Sequence, residues 1–182
     1  QRNAIKERLT EIWDYEKVSA PFKRGEKYYF YKNEGLQNQS VLYSSDELRG
    51  EEKVILDPNT FSEDGTVALS GTYFNHEGNL LGYAKSIGGS DWKEFYIKDL
   101  STGEDRKDHL QWIKFSGMAW AGDGFYYSRY PKPEEGGELD ASNENAKVYY
   151  HQLGTEQKMD NLIFSDANNP QISNNISTTD DE

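Results

Sequence analysis

No cysteine occurs in the 182 residues, which excludes a disulfide framework, a thiolate metal site and a cysteine nucleophile. The absence leaves the compartment open, since cytosol and periplasm both tolerate it. Basic residues are scarce beside acidic ones, 20 against 32, for a formal charge of −12. That balance repels phosphate backbones and anionic bilayers, so neither nucleic acid nor a membrane is an expected partner. Solubility is the ordinary reason for such a charge. No apolar run approaches the roughly 20 residues that cross a bilayer as a helix. The N-terminus, Gln1-Arg2-Asn3-Ala4, lacks an initiator methionine and any signal-peptide pattern, and it reads as an internal start.

The motifs of chemistry are missing too. There is no Gly-x-Ser-x-Gly nucleophile elbow; Gly88-Gly89-Ser90 and Ser116-Gly117 come nearest and have the wrong spacing. Without a P-loop or a Gly-x-Gly-x-x-Gly, no nucleotide cofactor is expected. His76-Glu77 opens like a zinc-protease motif, but no second histidine follows four positions on. His76, His109 and His151 share no short spacing, so surface or hydrogen-bonding roles suit them better than metal ligation. The acidic turns Ser62-Glu63-Asp64-Gly65 and Asp180-Asp181-Glu182 are too short to supply the oxygens calcium needs. The sequence by itself offers no catalytic site, and no cofactor or metal is expected.

What is abundant is aromatic: 13 Tyr, 8 Phe and 4 Trp, mostly in short clusters. Aromatic clusters broken by Gly, Asn and Asp fit short strands and tight turns. One helix is expected near the N-terminus, where Ile5, Leu9 and Ile12 fall on a single face. Pro21 and Gly25 end any helical tendency. After that the chain reads as β throughout. Candidate strands are Lys27–Tyr31, Ser40–Ser44, Lys53–Leu56, Thr66–Phe74, Leu80–Ser86, Glu94–Asp99, Gly117–Trp120, Phe125–Arg129, Lys147–Leu153 and Asn161–Phe164. Turn chemistry such as Glu77-Gly78 and Asp123-Gly124 separates nearly every pair.

The strands recur as a unit. Glu77-Gly78 begins one copy and Asp123-Gly124 the next, 46 positions on. Arg24-Gly25 opens an earlier, less similar copy, and Thr179-Asp180-Asp181 resembles the start of another. A four-stranded repeat of roughly 40–50 residues is the signature of a propeller blade. An antiparallel sandwich spaces strands and turns regularly as well, so periodicity leaves both open. About three blades cannot close a ring, so on the blade reading the chain is expected to be a fragment with apolar end faces. Pro131 to Glu138, polar and rich in Pro and Gly, is expected as a mobile loop within one blade.

Five stretches in order carry a family resemblance. They are Gly35-Leu36-Gln37-Asn38-Gln39-Ser40-Val41-Leu42-Tyr43; Leu56-Asp57-Pro58-Asn59 with Asp64-Gly65-Thr66-Val67-Ala68-Leu69; Gly89-Ser90-Asp91-Trp92; Lys114-Phe115-Ser116-Gly117-Met118-Ala119-Trp120; and Tyr149-Tyr150-His151-Gln152-Leu153-Gly154-Thr155. Together they resemble the N-terminal propeller of the prolyl oligopeptidases. The resemblance implies an all-β fold, consecutive four-stranded antiparallel blades of a seven-bladed propeller, with residues 1–20 a helical lead-in from a hydrolase domain and 21–182 about three blades. It implies a cytosolic or periplasmic serine peptidase that cleaves short peptides on the carboxyl side of proline. In that family the propeller caps an α/β-hydrolase domain of the same chain, which holds the catalytic Ser, Asp and His. The implied partners are short proline-containing peptides and that hydrolase domain. Phe115 resembles an aromatic lining the substrate pocket two residues before the proline; a core aromatic is the alternative. Asp91 resembles a carboxylate that pairs with a hydrolase-domain arginine as an interdomain latch; a turn aspartate bound to local backbone is the alternative. A further pocket-wall position falls near Ser173, where the match dissolves. A non-enzymatic propeller scaffold remains the rival function.

Overall fold

The computed structural model describes residues 1–134, 136–137 and 142–179. Glu135 and Glu138 of the expected loop, and Asp180, Asp181 and Glu182 of the acidic end and of the expected next repeat, lie outside the described residues. Among the described residues one α-helix, α1 (Arg2–Trp13), precedes thirteen strands in three antiparallel sheets. The chain divides into two compact units, Gln1–Ala68 and Leu69–Glu182.

In the first unit, α1 carries Ile5, Leu9 and Ile12 as expected, yet buries none of its residues. The Lys17 ammonium anchors its C-terminal end by donating to the Trp13 and Gly35 carbonyls at 2.8 and 2.9 Å. The sheet comprises β1 (Lys17–Val18), β2 (Phe22–Arg24), β3 (Lys27–Asn33), β4 (Val41–Ser45) and β5 (Lys53–Leu56). Both β1 and β2 pair with β3, so they are two pieces of one edge strand interrupted at Pro21. Proline has no N–H for the ladder, which is why the strand breaks there and why neither piece was foreseen. Tyr29, Leu42 and Leu56 are buried on one face of this sheet, and Val41 is buried on the other. Lys32 reaches Glu52 at 2.9 Å and Glu16 at 3.2 Å.

The second and third sheets are β6 (Val67–Phe74), β7 (Leu80–Ile87), β8 (Lys93–Asp99) and β9 (Asp105–Ile113), then β10 (Ala119–Ala121), β11 (Gly124–Arg129), β12 (Lys147–Gln152) and β13 (Asn161–Phe164). Each strand pairs with the next in sequence, the meander of a propeller blade. Ala84, Phe95, Ile97 and Leu110 of one sheet pack on Met118, Trp120, Phe125 and Tyr127 in and beside the other. Burial of each large side chain here contributes about 1.5–3 kcal/mol. The Trp120 indole N–H finds the Tyr73 carbonyl at 3.0 Å, so its polar edge is satisfied inside the core.

The repeat read from sequence holds: Gly25, Gly78 and Gly122 sit at positive φ (55°, 70° and 52°) in the first hairpin of each sheet. The third repeat uses Gly122 for its turn rather than the glycine of Asp123-Gly124. Gly124 instead serves close approach, because a Cβ there would meet the His151 carbonyl and the Tyr150 ring.

One long strand went unforeseen. Asp105-Arg106-Lys107-Asp108-His109 is not among the candidate strands, being wholly polar, but it forms the first half of β9. Asp108 and Leu110 alternate into the core, and the charged position is tolerated because it meets a charged partner on the next sheet.

Candidate functional site

In a meander, alternate connections fall at the same end of the sheet. The β7–β8 turn, the β9–β10 link and the β11–β12 connection therefore form one rim on the second unit. Five contacts knit it together. Tyr130 N–H donates to the Trp112 carbonyl at 3.0 Å. The Lys114 ammonium lies 4.0 Å from the Trp92 ring centre and donates to Asn143 Oδ1 at 3.0 Å. Trp92 packs edge-on against Trp112 and Tyr130, at 5.7 and 6.2 Å between ring centres.

Phe115 stands on this rim. Its neighbours Lys114 and Ser116 are buried, and Ser116 Oγ accepts from Ser128 N–H at 2.9 Å, so the backbone is held on both sides. Phe115 itself has φ of +54° and is 55% exposed. A bulky side chain in the left-handed region costs about 1–3 kcal/mol and persists only where the surroundings impose it. Here the imposed strain lifts an aromatic ring out of the blade core and into solvent. Trp112, three residues earlier, shares the positive φ, at 64°.

Asp91 occupies the β7–β8 turn beside Trp92 and is exposed. The turn is closed by others: Ser90 N–H donates to the Ile87 carbonyl at 3.1 Å, and Trp92 N–H to Ser90 Oγ at 3.1 Å. Among the described residues none hydrogen-bonds or ion-pairs with the Asp91 carboxylate. The Trp92–Lys114 contact brings Asp91 and Phe115 onto the same rim. Ser173 is also exposed. Its segment is tied to the β11–β12 connection by Asn145 N–H to the Pro170 carbonyl at 2.6 Å and Asn174 Nδ2 to the Ala146 carbonyl at 3.4 Å.

Sequence reasoning missed a buried ionic bridge between the two sheets. His151 of β12 is fully buried, and its Nε2 lies 3.1 Å from Asp108 of β9 while its Nδ1 lies 2.6 Å from Asp160. Gly154 N–H also donates to Asp108, and Tyr127 O–H donates to Asp160 at 2.6 Å. Burial works against a charged imidazole, but the hydrogen bonds it donates to two carboxylates outweigh that and hold the His151 pKa up to about 9. Burial likewise opposes the Asp108 charge, yet its bonds to His151 and Gly154 keep that carboxyl below its ordinary range. A signal was present: Tyr149 and His151 on β12 and Leu153 just beyond it alternate onto one face, so His151 occupies a core register. Among the described residues no group of His, Asp and Glu is arranged to hold a metal ion.

Comparison with known proteins decides the family. The profile described as prolyl oligopeptidase, N-terminal beta-propeller domain, matches residues 1–182. The chain belongs to the prolyl oligopeptidase propeller family. Prolyl endopeptidase of Elizabethkingia meningoseptica is 47% identical over 182 residues, all of this chain and 26% of the relative. Prolyl endopeptidase of Elizabethkingia miricola is 50% identical over 164 residues, 90% of this chain and 23% of the relative. Prolyl oligopeptidase B of Galerina marginata, solved with a 25-residue macrocyclization substrate, superimposes with a TM-score of 0.86 at 30% identity, covering 99% of this chain and 28% of that one. The chain thus spans about a quarter of the length of the relatives it matches. It is an N-terminal propeller segment of the prolyl oligopeptidases, and no catalytic domain is present in it. No helix among the described residues is long and apolar enough to cross a membrane.

Proposed function

We propose that this chain is the lid segment of a serine-type prolyl endopeptidase, and that its rim forms one wall of the substrate pocket. In this reading a hydrolase domain of the same polypeptide, in cytosol or periplasm, supplies Ser, His and Asp. The serine attacks the carbonyl carbon of the proline residue, the histidine takes its proton and passes it to the departing amine, water then releases the acyl group, and the aspartate orients the histidine throughout. This segment performs no bond chemistry. The propeller admits short unstructured peptides and turns folded proteins away.

The observation that carries the reading is Phe115, an aromatic held in the left-handed region with its ring in solvent. A core aromatic has no need of such a backbone. A flat apolar ring at a domain interface suits the side chain two residues before proline, because burying the pair removes water from both. Asp91 carries the second role. With no partner among the described residues, its carboxylate suits an arginine on the opposing domain.

Peptides varied at that position test the idea in the full enzyme. Phe115→Ala is expected to raise KM about tenfold for an apolar residue there and to leave a glycine-bearing peptide nearly unchanged. Equal effects on both peptides would overturn the pocket-wall role. This segment alone is expected to leave a proline-containing chromogenic peptide uncut; inhibitor-sensitive turnover by a pure sample would overturn the lid assignment.

A further inference from the structure

At the base of the β11–β12 connection lies a cleft of about 310 Å³, lined by Trp112, Arg129, Tyr130, Lys132, Lys147 and Tyr149 among others. Three of these are cations, and no described carboxylate forms an ion pair with any of them. That is unexpected in a chain with 32 acidic and 20 basic side chains. Arg129 and Lys147 are, moreover, direct cross-strand partners in the β11–β12 register. Like charges placed opposite one another destabilise a strand pair unless something neutralises them.

The aromatic walls hold two of these cations in place. The Arg129 guanidinium carbon is 4.2 Å from the Tyr149 ring centre, and the Lys132 ammonium is 5.7 Å from that of Trp112. A guanidinium lying over a ring keeps its in-plane N–H edge available for bidentate recognition of a carboxylate. Trp112 also packs on Trp92, beside Asp91, so the cleft opens on the same rim as Phe115.

We propose that this cleft is a carboxylate subsite that receives the free C-terminus of a bound peptide. The inference rests on the peptidase reading above and deepens it by naming what fixes the far end of the substrate. A planar carboxylate suits the arginine fork, and the Lys132 and Lys147 ammonium groups add to the positive field around it. An anchored C-terminus favours short peptides, because a long one places its carboxylate beyond reach.

The test uses the full enzyme and an uncleavable proline-containing peptide prepared as free acid and as carboxamide. Equilibrium binding is measured by calorimetry at low and high salt. The acid is expected to bind about fivefold more tightly than the amide at low salt, the upper end of what one partly exposed ion pair contributes. The preference should shrink at high salt and disappear in a variant carrying Arg129→Gln and Lys147→Gln. The single variant Lys132→Gln, in the connecting loop, should reduce it with the fold unchanged by circular dichroism. Equal binding of acid and amide, or a preference that survives the double variant, would overturn the subsite. Turnover of a cleavable analogue is scored separately: its absence sinks the peptidase reading, whereas turnover with equal acid and amide binding sinks only the subsite.

Discussion

Replacing His151 by leucine isolates the ionic bridge between the second and third sheets. The substitution keeps most of the volume but leaves Asp108 and Asp160 facing each other with no cation between them, and both side chains are almost wholly buried. Removing one partner of a buried pair typically costs about 3–5 kcal/mol. The wild-type protein should show a pH signature that the variant lacks. Because the histidine pKa is raised from 6.5 to about 9 in the folded state, the native protein holds the proton more tightly than the unfolded chain. The stabilisation is therefore complete below pH 6.5, declines as pH rises and is gone above about 9. At about 1.4 kcal/mol per pKa unit the loss across that window is about 3 kcal/mol. On the acid side, Asp108 keeps its contribution until pH falls below its ordinary 3.8. Urea denaturation across this range, with the variant subtracted from the wild type, isolates the contribution of His151. Adding Asp108→Asn and Asp160→Asn to His151→Leu should recover part of the loss, since no unpaired charge then remains buried. Parallel wild-type and variant profiles between pH 6.5 and 9, or a His151 proton resonance titrating near 6.5, would refute the reasoning.

Other expectations follow from the same geometry. Gly82→Ala would drive a methyl into the Met118 sulfur and crowd Trp120; it should destabilise the second unit by about 1–3 kcal/mol in thermal melts. Gly124→Ala should do worse than Gly82→Ala, because its obstacle is the His151 backbone carbonyl rather than a side chain that can swing away. Asp91→Asn should leave stability within about 0.5 kcal/mol, as an exposed residue without a described partner would. In the full enzyme its effect on kcat/KM should stay within about fivefold and fade at high salt; an effect that persists at high salt would argue against a solvent-exposed latch.

Strand positions were legible where aromatic and β-branched residues alternate between glycine turns, as in β7, β8, β11 and β12. The strands that escaped notice lack that pattern. β1 and β2 are short and separated by Pro21, and β9 begins with five polar residues. The rim residues Phe115 and Asp91 came from motif resemblance alone, since neither composition nor spacing distinguishes an exposed phenylalanine from a core one. The combination of positive φ and exposure that sets Phe115 apart is a property of the folded backbone. His151 lay in a core register, but its charge partners are 43 and 9 residues away in sequence.

The sequence by itself determined the four-stranded repeat, the helix-then-sheets order and the family, because strand periodicity, turn chemistry and motif order are all local properties. Only the tertiary structure decided which polar side chains are buried, which aromatic is strained outward and which cations have no carboxylate partner among the described residues. Those outcomes depend on the stacking of one sheet against the next. That contact joins residues distant in the chain, so no stretch of sequence contains both halves of it.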